Sequence, residues 1–196
     1  MRIVLASASP RRRQLIATLG WPVSVVQVQA SETVPQGLPV SQVAEQIAQQ
    51  KTAAFDHSQL EPDQLLVTAD TIVALDGQVL GKPANRSSAI AMLQKLSGHR
   101  HTVYTGVCLS QAGRQTSFTE STEVYFKPLT TSVIEYYVDN YKPYDKAGAY
   151  GIQEWIGYVG VSRIEGCYYN VMGLPTARLY DEIVRFYPEA TVPQQL

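Results

Sequence analysis

Three consecutive arginines lie where a short apolar strand is followed by a helix near the start of the chain. Residues 2–6 predict the strand, Ser9 suits the N-cap of the helix, and Pro10 suits its first position. The N-terminus of a helix carries partial positive charge and unpaired N–H groups, so the arginines at positions 11–13 are unfavourable there unless an anion compensates. Phosphate is a common anion at such a position. The stretch therefore predicts a phosphate site on a strand-to-helix turn.

Asp70 lies in the middle of the most apolar strand that the sequence predicts, residues 65–75. A buried carboxylate is costly unless a cation, a metal ion or hydrogen-bond donors compensate it. Asp70 is therefore either a structural residue satisfied by an arginine or a backbone N–H, or a functional metal ligand or general base.

Two lysines are further candidates. Lys51 lies inside the apolar stripe of a predicted helix over residues 40–55, so it either snorkels at the edge of the core or holds its ammonium group at a site. Lys82 follows a short strand at 78–80 and either faces solvent or points into a cleft.

Several common catalytic motifs are absent from the sequence. There is no phosphate-binding loop of the Walker type and no glycine-rich dinucleotide fingerprint, and the three histidines lack metal-ligand spacing. We interpret His99 and His101, at a helix-to-strand junction, as loop residues rather than metal ligands. Cys108 and Arg114 match the Cys-x5-Arg pattern of cysteine phosphatases, but residues 115–126 read as a strand, so no helix dipole activates the thiol and a β-hairpin is the better interpretation.

The remaining pattern predicts a mixed α/β protein. Further helices are predicted over 87–97, 132–141 and 176–187, further strands over 23–28 and 101–110, and a second hairpin joins 158–164 to 167–172. We expect one domain over residues 1–196, with a mixed, curved central β-sheet flanked by helices and two lobes about a substrate cleft.

The composition limits the kinds of molecule that this protein is expected to bind. The 196 residues carry a formal net charge of −1, so the chain lacks the basic field of a nucleic-acid-binding protein. No stretch has the length and apolarity of a membrane-spanning helix, and two cysteines imply no disulfide framework. We expect a cytoplasmic protein that binds a small ligand, with no nucleic-acid or membrane partner.

Five ordered motifs, spread over nearly the whole chain, resemble the Maf family of nucleoside triphosphate pyrophosphatases. They are Leu-Ala-Ser-Ala-Ser-Pro-Arg-Arg at 5–12, Ala-Asp-Thr at 69–71, Gly-Lys-Pro at 81–83, Asp-Lys-Ala-Gly-Ala-Tyr-Gly-Ile-Gln at 145–153 and Val-Met-Gly-Leu-Pro at 171–175. The Pro-Arg-Arg, Asp-Thr and Gly-Ile-Gln variants are similar to those of the subfamily that acts on dTTP and UTP. The resemblance implies a fold of the Maf/ITPase type, a divalent cation such as Mg²⁺ or Mn²⁺, and a homodimer.

The same resemblance implies a role for each matching residue. Asp70 is the implied proton acceptor, and Glu32 matches an acidic position of the family's cleft. Because hard cations take carboxylate ligands, Asp70 and Glu32 are the candidate metal ligands, and the sequence leaves Asp70 as base, ligand or both. The residues linked to base choice are Arg11, Thr71 and Gln153. The other polar positions that line the family's cleft are Ser7, Arg12, Lys51 and Lys82.

The predicted reaction is hydrolysis of dTTP and UTP, and of modified pyrimidine triphosphates that share the site, to the nucleoside monophosphate and pyrophosphate. Such an activity limits the incorporation of non-canonical nucleotides. The alternatives are a non-catalytic nucleotide-binding regulator of cell division and, on the pattern at Cys108, a cysteine phosphatase.

Overall fold

A computed structural model describes residues 1–31 and 33–190, and its contacts divide the chain into two compact units. The first unit comprises Met1–Asp70, Thr105–Glu120 and the described residues from Gly173 onward. The second unit comprises Thr71–Tyr104 and Ser121–Met172. The prediction of one domain over 1–196, and that of a cleft between two lobes, stay predictions.

The described part of the chain contains seven strands, seven α-helices and three short 3-10 helices. The strands are β1 Arg2–Ala6, β2 Val23–Val26, β3 Gln64–Leu75, β4 Gln78–Leu80, β5 Arg100–Gln111, β6 Arg114–Phe126 and β7 Val161–Glu165. The helices are α1 Pro10–Ala17, α2 Val40–Ala53, α3 Arg86–Leu96, α4 Thr131–Tyr141, α5 Trp155–Gly160, α6 Tyr168–Met172 and α7 Thr176–Phe186. No helix within residues 1–31 and 33–190 is long and apolar enough to cross a membrane.

All seven strands belong to one mixed β-sheet with the order β2-β1-β3-β5-β6-β7, and β4 pairs with β3. Strand β1 runs parallel to both β2 and β3, whereas the β3–β4 and β6–β7 pairs are antiparallel. The prediction of a mixed sheet with flanking helices is confirmed. The turn between β3 and β4 is the predicted one, with Asp76 and Gly77 both at positive φ as a tight two-residue hairpin requires.

The core of the first unit brings helix α2 unusually close to the sheet. Ala44 and Ala48 are fully buried, and the small side chain at each position lets the helix approach. A Cβ added to Gly106 of β5 would lie 2.1 Å from the Glu45 nitrogen and 2.3 Å from the Ala44 carbonyl carbon. Only glycine at position 106 leaves room for the helix backbone there.

The predicted hairpin joining 158–164 to 167–172 is wrong. Residues up to Gly160 belong to helix α5 and Tyr168–Met172 forms helix α6, so only Val161–Glu165 is a strand, and it pairs with β6. The buried Asn170 side chain donates hydrogen bonds to the Val103 carbonyl at 3.0 Å and to the Thr122 hydroxyl at 2.9 Å. These partners are 67 and 48 residues away, and they override a local pattern that favours a strand.

Candidate active site

The strand-to-helix turn after β1 has the predicted cap. The Ser9 hydroxyl accepts a hydrogen bond from the Arg12 backbone nitrogen at 3.4 Å, and the Ser7 hydroxyl accepts one from the Ser9 nitrogen at 3.2 Å. The first turn of α1 contains no acidic side chain that could balance its partial positive charge. Arg11 and Arg12 are half-buried and Arg13 is exposed, so the first two are the arginines placed to act on a bound anion.

Arg12 is oriented by the last of the five motifs. Its Nε donates to the Gly173 carbonyl oxygen at 2.8 Å, and its Nη1 donates to the Ser7 hydroxyl at 3.4 Å. Gly173 has a φ of 116°, in the region that favours glycine, which explains why this residue type presents its carbonyl here. The structure therefore joins residues 161 positions apart in the chain into one arginine-holding unit.

Lys51 and Asp70 form an ion pair. The Lys51 Nζ lies 2.7 Å from Asp70 Oδ1, and the side chains are only 15% and 17% exposed. Lys51 comes from helix α2 and Asp70 from strand β3. The Lys51 ammonium group therefore compensates the charge of the Asp70 carboxylate. The assignment of both residues to a catalytic site stays a prediction.

Two buried threonines hold the helix and strand that carry this pair. The hydroxyls of Thr52 and Thr68 lie 2.7 Å apart and share a hydrogen bond, and the Ala48 carbonyl oxygen lies 3.2 Å from the Thr52 hydroxyl and 2.7 Å from the Thr68 hydroxyl. Thr52 directly follows Lys51, and Thr68 precedes Asp70 by two residues, so these bonds set the register of α2 against β3. Sequence reasoning missed both residues, because a buried hydroxyl in an apolar stretch has no local signature.

The second unit holds the other three predicted site residues. Thr71 is half-buried and directly follows Asp70 on β3, whereas Lys82 is exposed after β4. The Gly148 nitrogen donates to the Gly81 carbonyl at 3.1 Å, so the motif around Lys82 contacts the motif at 145–153. The Gln153 Oε1 is buried and accepts no hydrogen bond within the described residues. A buried amide oxygen without a donor is costly, which makes this atom a candidate ligand acceptor.

The predicted metal site is described only in part, because Glu32 lies outside the described residues. No cluster of three or more His, Cys, Asp or Glu side chains that could hold a metal ion occurs in the part of the chain that the structure describes. A single carboxylate such as Asp70 still fits Mg²⁺, because proteins often hold this ion through one or two carboxylates together with the phosphates of the substrate.

The structure also locates Cys108 and His101, two residues that the sequence analysis considered. Burial raises the pKa of the Cys108 thiol above its ordinary value, and the chain after it forms strand β6, so a reactive thiolate is not favoured. The interpretation of His101 as a loop residue is wrong: it is 2% exposed in β5, and its Nε2 lies 2.7 Å from the Tyr150 hydroxyl.

The fold and these contacts define an α/β protein with an arginine-bearing helix start and a carboxylate held by an ammonium group. The chain belongs to the Maf family: the model for that family, described as Maf-like protein, matches residues 2–186.

Two relatives are named dTTP/UTP pyrophosphatase. That of Phocaeicola vulgatus is 51% identical and that of Bacteroides thetaiotaomicron 50% identical, each over 93% of this chain and 94% of the relative. Among solved structures, the comparison finds the Ham1 protein of Staphylococcus aureus, with 16% identity and a TM-score of 0.46, covering 64% of this chain and 72% of that one.

Proposed function

We propose that this chain is a nucleoside triphosphate pyrophosphatase that hydrolyses dTTP and UTP, and modified pyrimidine triphosphates, to the monophosphate and pyrophosphate. The relatives named dTTP/UTP pyrophosphatase, 50% and 51% identical over almost the whole chain, support the reaction and the substrate class. The cellular role that follows is removal of non-canonical pyrimidine nucleotides, in the cytoplasm where these nucleotides are used.

One structural observation carries the catalytic assignment: the Lys51–Asp70 contact of 2.7 Å. The ammonium group orients the carboxylate, and a general base must be oriented in this way to accept a proton from the attacking water. The second carboxylate oxygen of Asp70 is the atom that we assign to the water. The water attacks the α-phosphorus, and pyrophosphate leaves.

The triphosphate needs positive charge along its length. Arg12, held by Gly173 and Ser7, places a guanidinium charge at this turn, and guanidinium groups form charge-assisted hydrogen bonds with phosphate. The backbone N–H groups at the N-terminus of α1 and the Lys82 ammonium group add further hydrogen-bond donors that carry positive charge. Such preorganised donors are most effective when they meet the charge that develops during the reaction.

A divalent cation is part of the proposal. Asp70 and Glu32 would hold Mg²⁺ or Mn²⁺, which when bound would neutralise charge on the phosphate oxygens. This assignment rests on the donor chemistry of the carboxylate at Asp70.

Gln153 is the residue that we assign to the base. Thymine and uracil each carry an N–H at ring position 3 between two carbonyl oxygens, whereas cytosine has an acceptor nitrogen there. The buried, unbonded Oε1 of Gln153 suits that N–H, and its amide NH₂ suits a carbonyl oxygen. With the amide held in that orientation, cytosine would place its acceptor N3 against the amide oxygen, which is the kind of penalty that discriminates strongly. Arg11 and Thr71 are assigned to base choice on the resemblance alone.

The test is pyrophosphate release from canonical and modified triphosphates with and without Mg²⁺. Asp70→Asn should lower kcat for UTP by about 10²–10⁴-fold, since it removes the general base and retains the shape of the side chain. Asp76→Asn is the matched control, because Asp76 is exposed in the β3–β4 turn and asparagine tolerates its positive φ.

Specific results would contradict this proposed function. Near-wild-type turnover by Asp70→Asn refutes the mechanism, and a preference for purine triphosphates refutes the substrate class. Nucleotide binding without release of pyrophosphate by the wild-type protein would instead support the non-catalytic regulator.

A further inference from the structure

A charge cluster centred on the buried Lys146 flanks the segment that ends in Gln153, within the second unit. Lys146 is buried, and its Nζ lies 2.7 Å from Asp145 Oδ1 and 3.0 Å from Glu154 Oε1. Glu154 directly follows Gln153, and its side chain is only 20% exposed. A lysine buried to this degree needs partners of opposite charge, and it finds them on both sides of residues 147–153.

Tyr137 connects this cluster to the backbone. It is fully buried on helix α4, and its hydroxyl donates to Glu154 Oε2 while it accepts a hydrogen bond from the Gly151 nitrogen at 3.0 Å. Burial and the neighbouring Glu154 raise the pKa of Tyr137 above its ordinary value, so the hydroxyl keeps the proton that it donates.

Gly151 leaves no space between these groups. A Cβ at this position would lie 2.9 Å from the Glu154 Cδ and 3.1 Å from the Lys146 Cε. The Glu154 nitrogen also donates to the Gly151 carbonyl at 3.0 Å, and Ile152 is buried in the core between them. Residues 151–154 thus form a tight turn whose two ends are held by one hydrogen-bonded cluster.

The buried Lys146–Glu154 ion pair is by itself weak evidence for a gain in stability. Replacing a buried ion pair with apolar side chains is often neutral or stabilising, so charges buried here point to a demand for position rather than for stability. The group whose position they determine is Gln153, which lies inside the turn and has a buried amide oxygen with no hydrogen-bond partner among the described residues.

We propose that Tyr137, Lys146 and Glu154 are positioning residues that hold Gln153 in the orientation that selects uracil and thymine. They act through the turn and not by contact with the reacting atoms. This inference rests on the proposed function, since it assigns these residues to base recognition by the same site.

The experiment measures kcat and KM for UTP and CTP in wild-type protein, Glu154→Ala and Tyr137→Phe. In both variants we expect KM for UTP to rise about tenfold, because a contact with the base that is equally strong in the ground state and the transition state is lost. We expect kcat to stay within about twofold of wild type, because the groups that act on the phosphates are unchanged. The preference for UTP over CTP should fall by about the same factor.

Two further variants separate positioning from general damage. Glu154→Gln retains an acceptor for the Tyr137 hydroxyl and should restore KM to within about threefold of wild type. Tyr141→Phe is the matched control, because Tyr141 stacks on Tyr137 from the same helix but is 39% exposed, and its kinetics should be unchanged. If Glu154→Ala does not fold, Tyr137→Phe, which loses a single oxygen atom, decides the question.

Unchanged KM and selectivity in Tyr137→Phe would overturn the inference, as would an equal loss of kcat for both nucleotides with KM unaltered. Absence of UTP hydrolysis by the wild-type protein would instead refute the proposed function.

Discussion

Lowering the pH from 7 to 5 should destabilise this protein through one histidine, His101. Its ring is 2% exposed in strand β5 and packs edge-on against Phe126 and Tyr150. Its Nδ1 is buried and finds no hydrogen-bond partner within residues 1–31 and 33–190. Burial disfavours the charged ring and lowers the pKa of His101 from 6.5 to about 4.

The sign follows from proton binding. Between pH 6.5 and 4 the unfolded chain binds a proton at His101 that the folded chain does not, so stability is present above the unfolded pKa and is lost as the pH falls towards 4. The full difference between the unfolded and folded pKa of His101 corresponds to about 3 kcal/mol of unfolding free energy, and about 2 kcal/mol of this stability is lost between pH 7 and pH 5.

Urea unfolding at pH 7 and pH 5, at constant ionic strength and followed by tryptophan fluorescence, measures this loss. In His101→Gln the pH-dependent loss should be smaller than in wild type by about 2 kcal/mol, whatever the variant's stability at pH 7. His99→Gln is the control, because His99 is exposed two residues earlier in the chain and its replacement should leave the loss unchanged.

Equal losses in wild type and His101→Gln would refute the reasoning. So would an NMR titration of the His101 ring with a midpoint near 6.5, since it would mean that the buried imidazole accepts a proton without cost.

Two other substitutions test the core of the first unit. Gly106→Ala should lower the free energy of unfolding, measured with urea, by about 1–3 kcal/mol. It should also lower kcat/KM for UTP, because α2 must move away from the sheet and carries Lys51 with it. Unchanged stability would contradict the close approach, in which an added Cβ would lie 2.1 Å from the helix backbone. Cys108→Ser should retain kcat within about threefold in the pyrophosphate assay, because a buried thiol of raised pKa is not the nucleophile, and complete loss of activity in a folded variant would restore the phosphatase hypothesis.

The local elements of this fold were predictable from sequence where one interaction dominates. Strand β3 appears as an uninterrupted apolar run, and the following Asp76 and Gly77 are typical of a tight hairpin turn. The start of α1 was equally clear, since Ser9 caps a backbone N–H only three residues away. Contacts between residues this close in the sequence depend only on residue type and spacing.

The region 155–172 was not predictable in this way. Its short stretches carry apolar residues that suit a strand or a helix equally, and distant partners decide between them. The buried Asn170 bonds Val103 and Thr122, and at Gly157 an added Cβ would lie 1.8 Å from the Ile152 carbonyl oxygen. No local pattern contains either constraint.

The same division applies to the candidate site. The sequence alone determined which residue types are available, namely an aspartate in an apolar strand, a lysine in an apolar helical stripe and arginines at a helix start. Tertiary structure decided which of them meet, because α2 can bring Lys51 to Asp70 only where Gly106 and the Thr52–Thr68 hydroxyl pair admit it. Charges find their partners through backbone packing, and that packing depends on residues far apart in the chain.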